Sequence, residues 1–384
     1  MKILMATGIF PPDIGGPATY VTRLCDELKT RGHEVGVITF SNDTDMTFDY
    51  PITRINRKAS FIVKYARYFM AVARESRKYD LVFAQGPFSS GFACALNRLF
   101  FRKKFILKIV GDTSWEFAQG NRLTDETIEE FQTSRGKFLK IKLVRFVQSF
   151  SCRMASGIIT PSEFLKGIVQ QWGAPASKIN VIYNAADLEP LDVDREHAKK
   201  ALDLSGKQVL VSAGRFVPWK GFEALFEVIA RLVTRFPQLT LVLIGGGPDR
   251  PRLEAKIKSL NLNKHIHLTG KIPHKNVTDY LCAADAFVLN TDYEGFSHVL
   301  LEAMACGAPI ITTNRGGNPE LIDDNKTGRL LPFSDLEAFD SAITDLLSHP
   351  EKGEGWFHAA KPNLSYYRWD RLMDDFLAFT KQFL

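Results

Sequence analysis

Two α/β domains, each built on a parallel β-sheet, are predicted for this chain, and three observations predict them. Its 384 residues suffice for two domains, each with its own core. Short apolar runs alternate with segments of helical periodicity along nearly the whole length, the pattern of βαβ units. The pattern also restarts: the β-loop-α-β opening over residues 2–40 returns at residue 208 after a polar stretch.

A composition of 45% hydrophobic and 24% charged residues is that of an ordinary globular protein. The N-terminal run MKILMATGIFPP stops at Pro11-Pro12, too short for a signal-peptide core. No apolar run approaches the length of a transmembrane helix. Cys25, Cys94, Cys152, Cys282 and Cys306 are scattered without CxxC pairing and read as buried thiols of a reducing compartment. The expectation is a cytoplasmic protein, free or held peripherally at the inner membrane face. Charge is uneven: residues 1–190 hold 26 Lys+Arg against 18 Asp+Glu, and residues 191–384 hold 23 against 25. A basic first half suggests an anionic partner for it.

In the first half, Lys2–Ala6 reads as a strand, Thr7–Pro17 as a loop carrying Gly15-Gly16, Ala18–Arg31 as an amphipathic helix and Glu34–Phe40 as the second strand. This opening is Rossmann-like but lacks the GxGxxG fingerprint of a dinucleotide site. The glycine pair serves either a simple turn or a close approach to phosphate. Asp80–Gln85, Phe105–Val110, Gly157–Thr160 and Ile179–Tyr183 are further strands. Three basic-aromatic stretches lie among them, at residues 58–79, 98–104 and 137–153. They fit outward charges on helices packed against a sheet, the commoner arrangement, with contact with an anionic membrane as the alternative. Nucleic acid is not expected, because no binding motif accompanies the charge. Residues 184–194 read as a linker.

In the second half, Gln208–Ala213 is followed by GRFVPWKG, which carries Arg215 and Lys220 between glycines. Leu239–Ile244 runs into Gly245-Gly246-Gly247-Pro248, and Ile266–Thr269 into Gly270-Lys271-Ile272-Pro273. The stretch from Ala284 to Glu320 then forms a βαβ unit: strand Ala286–Leu289, a loop with Glu294, a helix capped by Ser297 and containing Glu302, and a strand at Pro309–Thr312. Loops at the C-terminal edge of a parallel sheet bind ligands, and a helix start favours phosphate. An Arg fork and a Lys point charge five residues apart suit a diphosphate. Read singly, each has a plain alternative: surface cations for Arg215 and Lys220, an ordinary loop acid for Glu294, a solvated helix residue for Glu302. His265 and His267 alternate on a strand and read as structural, and no metal-ligand spacing is present.

These motifs together resemble the retaining glycosyltransferases of the GT-B fold, in the GT4-type "glycosyl transferases group 1" family. Glu294 and Glu302 match its E-x7-E pattern, Arg215 and Lys220 its GR…KG pattern, and IGGGP, GKIP and Gly15-Gly16 its turns. The resemblance spans essentially the whole chain and is strongest over residues 208–330. It implies two Rossmann-like domains facing each other across a cleft. Residues 1–188 would be the acceptor-binding domain, with about 365–384 crossing back to it, and residues 189–364 the donor-binding domain. It implies Arg215, Lys220 and Glu294 as catalytic residues, the two cations holding the diphosphate and Glu294 facing the donor sugar. Glu302 would bind ribose hydroxyls, the backbone of Phe296-Ser297 and Gly16 phosphate, and Lys271-Ile272 the base. Gly15, Gly214, Gly245, Gly246 and Gly295 complete the donor-binding set implied by the family. Neither cofactor nor metal is implied; the partners are a nucleotide-sugar donor and a glycan or lipid-linked acceptor.

One departure stands out. Many relatives place a His after the strand Phe105–Val110, where this chain has Gly111-Asp112. Asp112 then takes the sugar contact, or Trp115 stacks on the sugar, or Asp112 is a helix N-cap. Other enzymes on the same fold, an epimerase or a phosphorylase, and a non-catalytic nucleotide-sugar-binding subunit remain the alternatives. A phosphorylase would carry a cofactor Lys motif not found here, and intact Arg215, Lys220, Glu294 and Glu302 argue against a non-catalytic subunit.

Overall fold

The computed structural model describes residues 1–13, 15–42, 46–134, 138–186 and 194–384. The chain divides into two compact units, one of Met1–Tyr183 with Asp370–Leu384, the other of Asn184–Trp369.

The strands of the first unit are β1 (Lys2–Thr7), β2 (Glu34–Phe40), β3 (Ile52–Ile55), β4 (Leu81–Gln85), β5 (Phe105–Lys108), β6 (Gly157–Thr160) and β7 (Ile179–Val181). They form a parallel sheet in the order β3-β2-β1-β4-β5-β6-β7. Its helices are α1 (Gly16–Thr30), α2 (Phe61–Glu75), α3 (Gly91–Phe101), α4 (Thr113–Gly120), α5 (Ile128–Thr133), α6 (Leu139–Met154) and α7 (Glu163–Gln171). Right-handed crossovers put α1, which carries the chain from β1 out to β2, on one face. The crossovers running the other way put α2, α3 and α6 on the opposite face, where α2 packs on α3 and α3 on α6. With both faces covered, β4 and β6 are buried throughout, which is why they read as unbroken apolar runs.

The second unit holds β8 (Gln208–Arg215), β9 (Leu239–Gly246), β10 (Ile266–Gly270), β11 (Ala286–Leu289), β12 (Ile310–Thr313) and β13 (Arg329–Leu331), in the order β10-β9-β8-β11-β12-β13 and again parallel. Its helices are α8 (Arg195–Ala201), α9 (Phe222–Leu232), α10 (Arg250–Ser259), α11 (His274–Cys282), α12 (His298–Ala305), α13 (Leu336–Ser348) and α14 (Glu351–Leu364). Phe226 and Ile229 of α9, Leu241 and Leu243 of β9, Val288 of β11 and Phe339 and Ile343 of α13 share one core.

The final helix, α15 (Trp369–Lys381), returns to the first unit on the face of α1. Phe376 meets Phe83 of β4 edge-on, with ring centroids 5.4 Å apart, and Arg31 after α1 pairs with Asp374 at 2.5 Å. Gly157 leaves room for this helix; a methyl there would lie 2.8 Å from the Phe379 ring.

The stretch read as a linker behaves otherwise where it is described. Asn184, Ala185 and Ala186 are buried, with the Asn184 Nδ2 donating to the Phe296 carbonyl and the Ala186 N–H to that of Tyr367. Residues 187–193 of it lie outside the described residues, as does Lys137 of the third basic stretch. The strand β3 was not anticipated, and the five cysteines are free and buried. Among the described residues no helix is long and apolar enough to cross a membrane.

Candidate active site

In the second unit the chain winds outward from β8 to β10 and then returns to place β11 beside β8. The point of return is where an open parallel sheet leaves a crevice at its C-terminal edge. The loops leaving β8 and β11 there carry Lys220 and Glu294, and these two side chains form an ion pair across 74 residues of sequence. Lys220 is 8% exposed, so its charge is held in a partly desolvated setting rather than waving in water.

Backbone stitching fixes the pair. The Asp292 N–H donates to the Trp219 carbonyl at 2.8 Å, the Thr291 hydroxyl to the same carbonyl at 3.2 Å, and the Asn290 Nδ2 to the Gly221 carbonyl at 3.0 Å. The lysine stem lies over the strand end at Gly214, where a Cβ would sit 3.7 Å from Lys220 Cε, an ordinary contact.

Neighbouring loops close in from both sides. Register places Gly214 opposite Gly245 and Arg215 opposite Gly246. Gly245 has φ +137°, and a methyl on it would lie 1.9 Å from the Gly214 carbonyl oxygen, so only glycine fits. The Lys271 side chain runs over Gly246, 3.5 Å from the position a Cβ would take. Arg215 is exposed and, among the described residues, has no ion pair. Three cations thus come from one sheet edge, Arg215 and Lys220 from the end of β8 and Lys271 from the end of β10, two strands away.

On the other side, Ser297 caps α12, its hydroxyl accepting from the Leu300 N–H at 3.4 Å, as the sequence predicts. Gly295, Phe296 and Ser297 are buried at this helix start, whose dipole and leading N–H groups favour an anion. Glu302, one turn further in, meets the His274 Nε2 at 3.0 Å, which ties α12 to the loop carrying Lys271 and Ile272.

The first unit repeats the topology. Its return point lies between β1 and β4, and a hollow of about 340 Å³ opens there, lined by Thr7, Gly8, Ile9, Pro17, Phe40, Tyr65, Gln85, Gly86, Ser89 and Val110. Gln85 Oε1 is buried at its edge and accepts no hydrogen bond among the described residues. Gly15 and Gly16 sit beside it at the start of α1, Gly15 within 3.3 Å of the Ile9 side chain on the same measure.

Asp112 is not placed for a sugar. It is fully buried as the N-cap of α4: Oδ1 accepts from the Ser114 and Trp115 N–H groups, the Ser114 hydroxyl and Gln148 Nε2, and Oδ2 accepts from Gln132 Nε2. Five donors leave this carboxylate little capacity for a ligand. Trp115 is buried too, with its indole N–H on the Glu126 carbonyl, so it offers no stacking face.

Four residues were not anticipated. His274 left no signal beyond following the GKIP turn. Gly316 and Gly317 follow β12 and back the Glu294 loop, the Gly317 N–H donating to the Glu294 carbonyl at 2.8 Å. Lys108 is a fully buried lysine at the end of β5, its ammonium 3.5 Å from the Tyr20 ring centroid and pushed by burial well below the usual lysine pKa. A lone Lys inside an apolar strand run was its visible sign. Among the described residues, no group of three His, Cys, Asp or Glu side chains is gathered to hold a metal ion.

The family model "Glycosyltransferase Family 4" matches residues 14–190, and "Glycosyl transferases group 1" matches residues 193–361. The chain is 32% identical over 165 residues to the GDP-mannose-dependent alpha-(1-6)-phosphatidylinositol monomannoside mannosyltransferase of Mycolicibacterium smegmatis, covering 41% of this chain and 43% of that protein. The match thus spans less than half of that relative's length. Among solved structures it is similar to sucrose-phosphate synthase from Thermosynechococcus elongatus, with a TM-score of 0.84 at 22% identity, covering 99% of this chain and 98% of the other. It is also similar to Anabaena Alr3699/HepE in complex with UDP and glucose, with a TM-score of 0.80 at 20% identity over 100% of both chains. At these identities the two structures bear on fold alone.

Proposed function

Since the chain belongs to the group 1, GT4-type glycosyltransferase family and has its GT-B fold, we propose that it moves a hexose from a nucleotide-diphosphate sugar to a glycan or lipid-linked acceptor, with retention at the anomeric carbon, in the synthesis of cell-surface polysaccharide or glycolipid. The observation that carries this reading is the Lys220–Glu294 pair at the return point of the second sheet, flanked by Arg215 and a helix start.

When the bond from the anomeric carbon to the diphosphate oxygen breaks, the electron pair leaves with the phosphate. Arg215 and Lys220 are assigned to hold that developing charge, by electrostatics already in place before the reaction. No metal is assigned, because these cations supply the charge. Glu294 faces the donor sugar, and its pairing with Lys220 positions both groups before the donor arrives. Glu302 exchanges His274 for ribose hydroxyls. The hollow of the first unit, apolar with Gln85 and Ser89 at its rim, is assigned to the acceptor. GDP-mannose in the mycobacterial relative's name supports a nucleotide-sugar donor.

A thermal-shift series with UDP, GDP and ADP tests the donor assignment. A nucleotide at a hundredfold excess over its Kd adds about 2.7 kcal/mol to stability, and one of the three is expected to raise Tm while Arg215→Ala abolishes the rise. No shift with any of them overturns the donor site. Glu302→Ala is expected to raise the donor KM roughly tenfold to a hundredfold, the worth of hydrogen bonds to a charged group, with kcat within a few-fold of wild type. A fall in kcat at unchanged KM would instead move Glu302 to the reacting centre.

A further inference from the structure

The outer surface of the α2-α3-α6 layer in the first unit is unlike the rest of the molecule. Leu139, Leu143 and Phe146 fall at helical spacing on one side of α6, and all three face solvent, Leu139 82% and Phe146 63% exposed. The adjacent helix α3 ends in Leu99, Phe100 and Phe101, all more than half exposed, and α2 presents Phe61, Ile62 and Met70, with Ile62 at 79%. Packing of α2 on α3 and of α3 on α6 makes these one surface, joined by ring contacts such as Phe69 to Phe100 at 6.3 Å and Phe92 to Phe150 at 6.0 Å. A soluble surface seldom gathers so much apolar side chain in one place.

Cations surround these apolar groups. Residues 58–79, 98–104 and 138–153 contain fourteen Lys and Arg and one acid, Glu75, which is already paired with Arg74 and Lys78. Arg67, Arg77, Arg102, Lys104, Lys140 and Lys142 have no ion pair among the described residues. A second copy of the chain is a poor occupant, because it would bring one cationic field against another. Nucleic acid fits the charge but gives Leu139, Leu143, Ile62 and Met70 nothing to pack on. A bilayer rich in anionic lipid answers both features, taking up the apolar side chains at the headgroup boundary while the cations meet its phosphates.

We propose that the outer face of α2, α3 and α6 docks the protein on an anionic membrane surface. The face also reaches the hollow assigned to the acceptor: Phe61 packs against Tyr65 in a tilted pair with 4.6 Å between centroids, and Tyr65 lines that hollow. Docking does not depend on the donor reading, and the Lys220→Ala variant is expected to bind vesicles as wild type does.

The test is co-sedimentation of the full chain with vesicles of equal parts phosphatidylglycerol and phosphatidylcholine, against pure phosphatidylcholine, across a salt series. Binding at least tenfold tighter to the anionic vesicles and falling with salt is expected. The double variant Leu139→Glu, Leu143→Glu and, separately, Arg102→Glu with Lys140→Glu are each expected to weaken it at least tenfold with Tm unchanged. No binding, equal binding to both vesicles, or variants that bind as wild type overturn the proposal. So does a dimer that these substitutions dissociate in analytical ultracentrifugation, or retention of single-stranded RNA in place of vesicles. If the first variant loses Tm, the charge variant and the salt series decide.

Discussion

Lys220→Met is expected to lower kcat/KM by about 10²–10³-fold, the loss seen when one preplaced donor to a transition-state oxyanion is removed, roughly 3–4 kcal/mol. The size follows from where the lysine sits. Its residue is 8% exposed, so its charge is only partly screened, and its Nζ is held by Glu294 at the edge where a leaving phosphate is assigned. The same burial complicates a single substitution, because removing one partner of a largely buried pair strands the other. A second variant separates the two effects. In Lys220→Met with Glu294→Gln the stranded carboxylate is gone, so Tm is expected to recover towards wild type while transfer stays lost. If Lys220→Met keeps turnover within a few-fold of wild type while its Tm falls, the pair is structural and the assignment of Lys220 to the diphosphate fails.

What the sequence made legible, and what it hid, divides along physical lines. Strands covered on both faces must be apolar throughout, so β4, β6 and β11 stand out as runs with sharp ends. The strand β3 does not: Ile52-Thr53-Arg54-Ile55 is an edge strand of four residues behind a proline, and its half-exposed pattern imitates a loop. In the candidate site, the Ser297 cap could be read from type and spacing, whereas Arg215, Lys220 and Glu294 stood out as candidates only when their motifs were taken together. Residues whose role depends on a neighbour far away in sequence could not. His274 lies 28 positions from its partner Glu302, and no local pattern joins them. Asp112 shows the converse: its type fitted both a sugar contact and a helix cap, and only the five donors around it decide for the cap.

Gly316 belongs to the hidden class, and its substitution is the other large effect expected. Its φ is +61°, a conformation that costs a residue with a Cβ about 1–2 kcal/mol. A methyl there would also lie 2.2 Å from the Glu294 carbonyl oxygen and 2.8 Å from the Glu294 nitrogen. Backbone cannot step aside as the end of a flexible side chain can, so Gly316→Ala must push back either the loop after β12 or the loop that aims Glu294. The second loop is held to the β8 loop through Trp219 and Gly221, so its displacement pulls on Lys220 as well. A Tm lowered by a few degrees, together with transfer reduced at least a hundredfold, is therefore expected from one methyl group that touches no ligand. Gly355→Ala is the control: Gly355 lies in α14 with open space around its Cβ position, so neither transfer nor Tm should fall. If Gly316→Ala transfers sugar at the wild-type rate, Glu294 does not need the placement the structure gives it, and its assignment to the donor falls with that result.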